Sequence, residues 1–307
     1  MTETKPFISV ALCTHNHLDR LVRTLADLAS LHAPVRPWEF LVIDNGCTDG
    51  TSEMLATRDW ALQGAQIRVV REDRLGLSNA RNRALREARG EYLVFMDDDE
   101  TPEPGWLQAL EDAMIAHAPD ALGGRIAVMF EDGARPPWLQ DELLGFLGKL
   151  DHGEACWLTS EETPIFGGNF AFRREVFERI GDFDARLGRM GAINTGGEDT
   201  EIHRRLLAHG CRVRWVPAAV INHRIQTPKL QRHYFLDLHF RQGRWQGARK
   251  RGGGSRMPPK YLAPQMLRAF GRAIAKRLSE GADHSLRLEM NAAYFTGYVF
   301  GWVRDVA

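Results

Sequence analysis

Short apolar runs alternate with helical patterns along the first 120 residues of the chain. Runs bounded by polar residues predict buried strands at residues 7–13, 38–43, 67–71 and 92–96. Apolar residues at helical spacing predict helices between these strands, at residues 18–31, 51–60 and 76–90. Strands and helices that alternate in this order predict an α/β fold with a mostly parallel central sheet and right-handed crossovers.

Polar and acidic residues follow three of these predicted strands directly. The three groups are Thr14-His15-Asn16, Asp44-Asn45-Gly46 and Asp97-Asp98-Asp99. Ligands of parallel sheets bind outside the carboxyl ends of the strands. We therefore expect these side chains to converge on one rim of the sheet.

The pattern changes beyond residue 120. Strands are predicted at residues 122–130, 165–172 and 212–216, with short helices at 174–180 and 200–209. Residues 228–303 are mostly helical in pattern, with breaks at glycines 252–254 and prolines 258–259. We expect one compact domain over residues 1–225, made of halves 1–120 and 121–225, followed by a helical extension over residues 226–307.

The net charge of zero hides an uneven distribution. From His223 onward there are 16 Lys and Arg against 5 Asp and Glu, a balance of +11, which leaves −11 for the preceding residues. In the tail, basic residues lie beside an apolar stripe, as in helices that rest on anionic lipid, although a solvated helix packed on the domain gives the same pattern. Peripheral membrane association is thus one expectation, and nucleic acid is not an expected partner because no binding module accompanies the charge.

Compartment signals are sparse. Four widely separated cysteines form no C-x-x-C pair, which favours a reducing compartment. The first residues show no secretion signal, and the most apolar late stretch, residues 292–303, is too short to cross a bilayer. We expect a cytoplasmic protein, with the inner face of the cell membrane as a place of peripheral association.

The strongest chemical signal is the triplet Asp97-Asp98-Asp99 after an apolar run. Carboxylates crowded at a strand end repel one another unless a hard cation or hydrogen-bond donors compensate them, so the triplet indicates a divalent metal or a capped acidic turn. Glu198 and Asp199 follow two glycines at a predicted helix start, which suits either a general base or a helix cap.

Three further residues have two interpretations each. His223 follows a strand-like stretch and is either a hydrogen-bonded structural residue or a metal ligand. Arg81 and Asn82, early in a predicted helix, face either a phosphate or solvent.

These residues lie in five ordered segments that resemble the family 2 glycosyltransferases of the GT-A fold. The resemblance covers residues 8–225, and the segments are SVALCTHNH, FLVIDNGCTDGT, GLSNARNRALREARGEYLVFMDDDE, GGNFAFRREVFERIGDFDARLG and GGEDTEIHRRLLAHGCRVRWVPAAVINH. It implies a Rossmann-like nucleotide-binding half over residues 1–120, an acceptor half over residues 121–225 and a helical C-terminal extension.

The resemblance also implies roles for single residues. Asp199 would be the catalytic base, with Glu198 beside it. A divalent metal, Mn²⁺ or Mg²⁺, would be held by Asp97, Asp99 and His223. The donor would be bound by Thr14, His15, Asn16, Asp44, Asn45, Gly76, Arg81, Asp97 and Asp98.

The implied activity is inverting transfer of a sugar from a nucleotide-diphosphate sugar to a hydroxyl acceptor, by metal-assisted single displacement. The expected donor is a UDP-sugar, and the expected acceptor is a saccharide or lipid-linked molecule of polysaccharide or glycolipid biosynthesis. His15 stands where the family frequently has tyrosine, and Asn45 where it frequently has a second aspartate. These departures leave uracil, thymine and guanine open as the donor base.

Two other functions fit parts of the sequence. Asp97 and Asp99 within D-D-D-E-T also fit the D-x-D-x-T signature of haloacid-dehalogenase-type phosphatases, in which the first aspartate is a nucleophile. That signature usually opens its domain, whereas three strand–helix units precede it here. A non-catalytic nucleotide-binding protein is the second alternative, although it leaves both acidic clusters without a use.

Overall fold

The computed structural model describes residues 5–57, 61–62, 65–131, 134–190, 193–194, 196–252 and 257–304. The chain divides into two compact units. The first comprises Met1–Ala127 with Lys149–Arg224, and the second comprises Val128–Gly148 with Ile225–Ala307. Residues 128–148, assigned from the sequence to the acceptor half, thus pack with the C-terminal helices.

The strands and helices follow one another in the predicted order with several additions. The strands are β1 Ile8–Thr14, β2 Trp38–Asp44, β3 Ala61–Leu62, β4 Ala65–Arg71, β5 Tyr92–Asp97, β6 Glu100–Pro102, β7 Ala121–Phe130, β8 Trp157–Leu158, β9 Phe170–Arg173, β10 Arg189–Met190, β11 Ile193–Asn194 and β12 Val213–Ile225. The helices are α1 Leu18–Asp27, α2 Thr51–Ala56, α3 Leu77–Glu87, α4 Trp106–His117, α5 Val176–Ile180, α6 Glu198–Ala208, α7 Arg232–Arg251, α8 Leu262–Glu280 and α9 Ala282–Val303.

Several predicted bounds need correction. The strand predicted at 165–172 is confined to β9, while the one predicted at 212–216 continues through β12 as far as Ile225. Helix α4 was not predicted. The predicted helix at 51–60 ends as α2 at Ala56, and its last three residues, 58–60, lie outside the described residues.

The large sheet is mixed, with strand order β3-β4-β2-β1-β5-β9-β7-β12-β6, and β8 also pairs with β12. Strands β4, β2, β1 and β5 are parallel, as the strand–helix alternation predicts. Beyond β5 the pairings change direction, because β9 runs antiparallel to both β5 and β7, and β6 runs antiparallel to β12. The parallel part contains the strands whose carboxyl ends carry the predicted site.

Strand β1 shows why these strands appear in the sequence as largely apolar runs. Ile8, Val10 and Leu12 are buried in one apolar cluster, while Ala11 and Cys13 are buried in a second. Neighbouring residues of a strand point to opposite faces of the sheet, so β1 is covered on both faces. Every residue of β1 is buried, including the polar Ser9 and Thr14.

Helices α7 and α9 of the second unit touch at their backbones. A Cβ on Gly243 or Gly247 of α7 would lie 2.0 Å from a carbonyl oxygen of α9, and a Cβ on Gly297 or Gly301 of α9 would lie 2.0 or 1.9 Å from one of α7. Glycines four residues apart share a helix face, so the four positions form one matched crossing. Among the residues that the structure describes, no helix is long and apolar enough to cross a membrane.

Two glycine-to-alanine changes, one at this crossing and one in α8 away from it, should have opposite effects on stability. Gly243→Ala should lower the unfolding free energy by about 1–3 kcal/mol, because its Cβ overlaps the carbonyl of Tyr294. Gly271→Ala in α8 should raise it by up to about 1 kcal/mol, since its Cβ meets nothing within 4 Å and alanine favours the helix. Thermal unfolding of both variants checks this, and a Gly243→Ala midpoint at or above the wild-type value would contradict the crossing.

Candidate active site

The carboxyl ends of β1, β2 and β5 lie side by side, and this places the predicted polar groups on one rim. In the sheet register Thr14 is the partner of Asp44, and Cys13 is the partner of Asp97. The rim therefore begins with groups from three separate segments of the chain. It belongs entirely to the first unit.

Asp44, at the end of β2, is buried and accepts several hydrogen bonds. Ser52 Oγ donates to it at 2.6 Å, the backbone N–H of Cys47 at 2.9 Å, and Arg71 Nη1 at 3.2 Å. Burial alone raises the pKa of this carboxyl, but the hydrogen bonds from Ser52 and Cys47 and the charge of Arg71 outweigh burial and hold the pKa below its usual value. Asp44 is thus a fixed anionic acceptor at the rim.

Asn45 ties the neighbouring loops together. Its amide nitrogen donates to the carbonyls of Glu72 and Arg74 at 3.0 and 2.8 Å, and its amide oxygen accepts from the N–H of Gly76 at 2.9 Å. His15 Nδ1 donates to the Asn45 carbonyl at 2.7 Å. The structure therefore brings three predicted donor-binding residues, His15, Asn45 and Gly76, into one hydrogen-bonded group in which the Asn45 side chain shapes the loop that leads into α3.

Asn16 connects the loop after β1 to the loop after β2. Its backbone has a positive φ of 53°, a conformation that asparagine tolerates better than most residues. Its side-chain oxygen accepts from the N–H of Thr48 at 2.7 Å, and its own N–H donates to Cys47 Sγ at 3.3 Å.

The middle aspartate of the triplet points into the protein. Thr14 Oγ1 donates to Asp98 Oδ2 at 2.6 Å, and His17 Nδ1 lies 3.0 Å from the same oxygen. Thr24 Oγ1 donates to the Asp98 carbonyl at 2.8 Å. Asp98 and Thr14 were both predicted to bind the donor. In the structure their side chains are hydrogen-bonded to each other.

Strand pairing brings Asp99 and His223 together across 124 positions of sequence. Strand β6 pairs with β12 so that Glu100 is the partner of His223, and the N–H of Arg224 donates to the Asp99 carbonyl at 2.9 Å. As a result, His223 Nε2 lies 3.4 Å from Asp99 Oδ2. Arg224 is itself buried and paired with Asp27 of α1, which fixes this end of β12.

The side chains of Asp99 and His223 could together bind a divalent cation that takes its remaining ligands from phosphate oxygens and water. In the described part of the chain, no three His, Cys, Asp or Glu side chains are arranged to hold a metal on their own. Mg²⁺ and similar ions commonly take only one or two protein ligands and complete their shell with phosphate oxygens and water. Asp99 supplies one carboxylate of this kind, and the imidazole of His223 beside it is a common metal ligand in proteins. Asp97, the third predicted ligand, is partly exposed, and its Oδ1 lies 3.9 Å from Arg81 Nη2.

Arg81 of α3 is a buried cation among carboxylates. Its Nη1 lies 2.8 Å from Asp199 Oδ1 and 3.4 Å from Glu198 Oε1, and its guanidinium carbon lies 5.0 Å from the ring centre of Phe170. Burial opposes its charge, but Asp199 and Glu198 raise the pKa of Arg81 above its already high value. The structure therefore places Arg81, predicted to contact the donor, against the two predicted catalytic carboxylates.

Exposure distinguishes Asp199 from Glu198 at the start of α6. The Asp199 side chain is 24% exposed and the Glu198 side chain 8%. Burial, followed by the adjacent charge of Asp199, raises the pKa of Glu198, while Arg81 opposes this shift. Gly197 precedes the helix with a positive φ of 85°, a conformation that glycine adopts without strain. Of these two carboxylates, Asp199 therefore lies closer to Arg81 and is the more accessible.

Comparison with known proteins identifies the family. The family described as glycosyl transferase family 2 matches residues 9–181, which is more than half of the chain. The chain belongs to glycosyltransferase family 2. A second family, described as the N-terminal domain of galactosyltransferase, matches residues 154–233.

Individual relatives and structures agree with this assignment. The chain is 29% identical over 194 residues to the glycosyltransferase AglE of Haloferax volcanii, which covers 63% of this chain and 61% of AglE. It is 24% identical to the glucosyl-dolichyl phosphate glucuronosyltransferase of the same organism, over 80% of this chain and 76% of that protein. Among solved structures, the mannosyltransferase PcManGT of Pyrobaculum calidifontis, in complex with GDP-Man and Mn²⁺, superposes with a TM-score of 0.62 at 19% identity, over 97% of this chain and 88% of that one.

These comparisons confirm the family and the GT-A fold that the sequence motifs indicated. They also confirm the enzyme class, and so they argue against the haloacid-dehalogenase-type phosphatase and against a non-catalytic binding protein. The chain spans only 61% of AglE, however, so its own substrates are matters for proposal.

Two glycines and a glutamate of the glycosyltransferase were not among the predicted site residues. A Cβ on Gly167 would lie 1.9 Å from Arg81 Nη2, and one on Gly168 would lie 1.8 Å from Glu100 Oε1. Glu100 is buried, and its Oε2 accepts from the N–H of Asp97 at 2.8 Å. The signals in the sequence were a glycine pair that ends one residue before the buried strand β9 and a fourth acid after the aspartate triplet.

Gly167→Ala should therefore displace Arg81 from Asp199. We expect the rate of sugar transfer to fall by about a hundredfold while the fold is kept, because small misplacements of reacting groups cost rates of that order. Gly105→Ala is the matched control, since its Cβ meets nothing within 4 Å. Steady-state transfer rates and circular dichroism of the two variants measure the effect, and equal rates would show that the contact with Arg81 is unimportant.

Proposed function

We propose that this glycosyltransferase moves a sugar from a UDP-sugar to the hydroxyl of a saccharide or lipid-linked acceptor, with inversion at the anomeric carbon. One observation carries the proposal. The Arg81 guanidinium lies 2.8 Å from Asp199 and 3.9 Å from Asp97. The proposed base and the last residue of β5 therefore share one cation. A donor diphosphate near Asp97 would then lie within reach of an acceptor near Asp199.

The donor nucleoside would lie over the loops after β1 and β2. Asp44 is held there as an anionic acceptor, which suits an N–H of a pyrimidine or guanine base. His15 and Asn16 lie on the facing loop and are fixed by Asn45 and Thr48. We assign uracil as the base from the family resemblance, and the GDP-Man of the mannosyltransferase makes guanine the alternative to be tested.

A divalent metal would be held by Asp99 and His223, with Asp97 beside them. When bound, such a cation neutralises the charge that develops on the diphosphate leaving group. The Asp99 carboxylate and the His223 imidazole are already in contact through the pairing of β6 with β12. The chain itself thus keeps the two ligands in place before any donor arrives.

Asp199 would take the proton from the acceptor hydroxyl. A carboxylate is suited to this role when it is accessible and fixed in direction, and Asp199 is partly exposed with one oxygen bonded to Arg81. Arg81 then acts as a positioning residue. Attack by the acceptor on the face opposite the diphosphate is a single displacement, which inverts the anomeric centre.

The acceptor class is proposed from the relatives and from the extension. One relative is named for an acceptor linked to dolichyl phosphate. Residues 226–307 are basic, which suits an acceptor with an anionic phosphate group.

The assignment of the base is tested by Asp199→Asn. Transfer should fall by at least about a hundredfold, because the amide cannot accept the proton, while the affinity for UDP stays within a few fold. Glu201→Gln on the same helix is the control, since Glu201 pairs with Arg205. Turnover rates and UDP binding are the measurements. Transfer within a few fold of wild type in Asp199→Asn would mean that another group is the base.

The metal site is tested without reference to turnover. In a thermal-shift assay, UDP with Mn²⁺ should raise the unfolding temperature of the wild type more than UDP alone, by ligand binding to the native state. The Mn²⁺-dependent part should be lost in Asp99→Asn and reduced in His223→Gln. His209→Gln, an exposed histidine at the end of α6, should keep it.

Two results would revise this part of the proposal. A Mn²⁺-dependent shift that survives Asp99→Asn would place the metal elsewhere. A larger shift with GDP than with UDP would assign a guanosine donor and leave the mechanism unchanged.

A further inference from the structure

Helix α1 packs against the turn that carries Asp98 and Asp99. Thr24 Oγ1 donates to the carbonyl of Asp98 at 2.8 Å and lies 3.2 Å from the carbonyl of Glu100. Arg20 precedes Thr24 by four residues, so the two share one face of α1. The Arg20 side chain therefore lies at the same turn. It is 28% exposed, whereas the side chain of Asp99 is 9% exposed.

A line of hydrogen bonds fixes the guanidinium of Arg20. Thr14 donates to Asp98 Oδ2, and the same oxygen lies 3.0 Å from His17 Nδ1. A neutral imidazole that donates from Nδ1 accepts at Nε2. Arg20 Nη1 lies 3.3 Å from His17 Nε2 and 3.9 Å from Asp99 Oδ2. The inward-facing Asp98 thus acts through His17 to hold a cation beside Asp99.

The two arginines near the aspartate triplet differ in their surroundings. The Arg81 side chain is 2% exposed and lies within 3.4 Å of both Glu198 and Asp199, so these carboxylates compensate its charge inside the protein. Arg20 lies at the surface of the turn instead. The donor diphosphate is an anion that must approach carboxylates such as Asp97, and a guanidinium presents N–H groups in a planar arrangement that matches phosphate oxygens. Arg20 is therefore suited to meet that anion.

We propose that Arg20 binds a phosphate oxygen of the donor diphosphate, beside the metal site at Asp99 and His223, and that His17 positions it. The inference rests on the proposed nucleotide-diphosphate donor and holds for either base. Before the donor binds, the carboxylate of Asp99 attracts the guanidinium and keeps it at the site. Once the donor is bound, Arg20 stabilises the negative charge that develops on the leaving diphosphate.

Nucleotide binding tests the phosphate contact separately from the base. The Kd values of uridine and UDP, and of guanosine and GDP, are measured by calorimetry with Mn²⁺ and again with a chelator. The ratio of the nucleoside Kd to the diphosphate Kd gives the contribution of the diphosphate. Arg20→Ala should lower this ratio about tenfold or more under both conditions, because a charge-assisted hydrogen bond is lost, while the nucleoside Kd stays within about twofold.

Three further variants separate this contact from a general effect of charge or folding. Arg20→Lys should lower the ratio less than Arg20→Ala, because the ammonium keeps the charge but not the planar arrangement of donors. His17→Ala should lower it by a few fold, since Arg20 then loses the group that positions it. Arg36→Ala is the matched control, because Arg36 lies over Phe7 at the opposite end of β1 and its loss removes the same charge. Circular dichroism checks the fold of each variant.

Two results would overturn the inference and leave the proposed function intact. The first is an unchanged ratio in Arg20→Ala both with Mn²⁺ and with the chelator. The second is a decrease that occurs only with Mn²⁺, which would show that Arg20 acts on Asp99 and the metal rather than on phosphate. A wild type that binds each nucleoside and its diphosphate equally well would instead contradict the proposed donor, and the phosphate contact with it.

Discussion

The buried guanidinium of Arg81 is the interaction on which the active site depends. Two carboxylates, Glu198 and Asp199, lie within 3.4 Å of it, and a third, Asp97, lies at 3.9 Å. Without a cation these groups would repel one another, and a buried charge left without a partner costs several kcal/mol. The ring of Phe170 beside the guanidinium adds to the low polarity around it, which strengthens each ion pair. The same contact therefore keeps α3 and α6 together and fixes the direction of the proposed base.

Space for this cation is made by residues that carry no charge. Gly167 leaves room for Arg81, and Gly168 leaves room for the carboxyl of Glu100, which is buried at the start of β6. Burial, followed by the nearby charge of Asp97, raises the pKa of Glu100 well above its usual value. The Glu100 carboxyl accepts the N–H of Asp97 and so helps to fix the turn that follows β5. The site therefore depends on the absence of side chains at two glycines as well as on its charged groups.

The sequence predicted the parts of this arrangement that depend on local pattern. Strands buried on both faces, such as β1, appear as apolar runs, and the rule that sites lie at carboxyl ends then located Thr14, Asp44 and the aspartate triplet. The sequence could not choose between two interpretations of Arg81 and His223, because their partners are set by packing between distant segments. The contact of His223 with Asp99 follows from the pairing of β6 with β12, and β6 has only three residues and no hydrophobic pattern of its own.

The aspartate triplet shows how chain direction gives identical side chains different surroundings. Asp97 ends β5 and stays partly exposed toward Arg81, whereas Asp98 turns inward to Thr14 and His17. Asp99 is also buried and lies beside His223 just before β6 begins. Asp98 and Asp99 lie in the turn between β5 and β6, and the partners that each meets there set the direction of its carboxylate. Of the three acids only Asp97 is substantially exposed at the rim, while Asp98 links β1 and α1 to the turn that also carries Asp99.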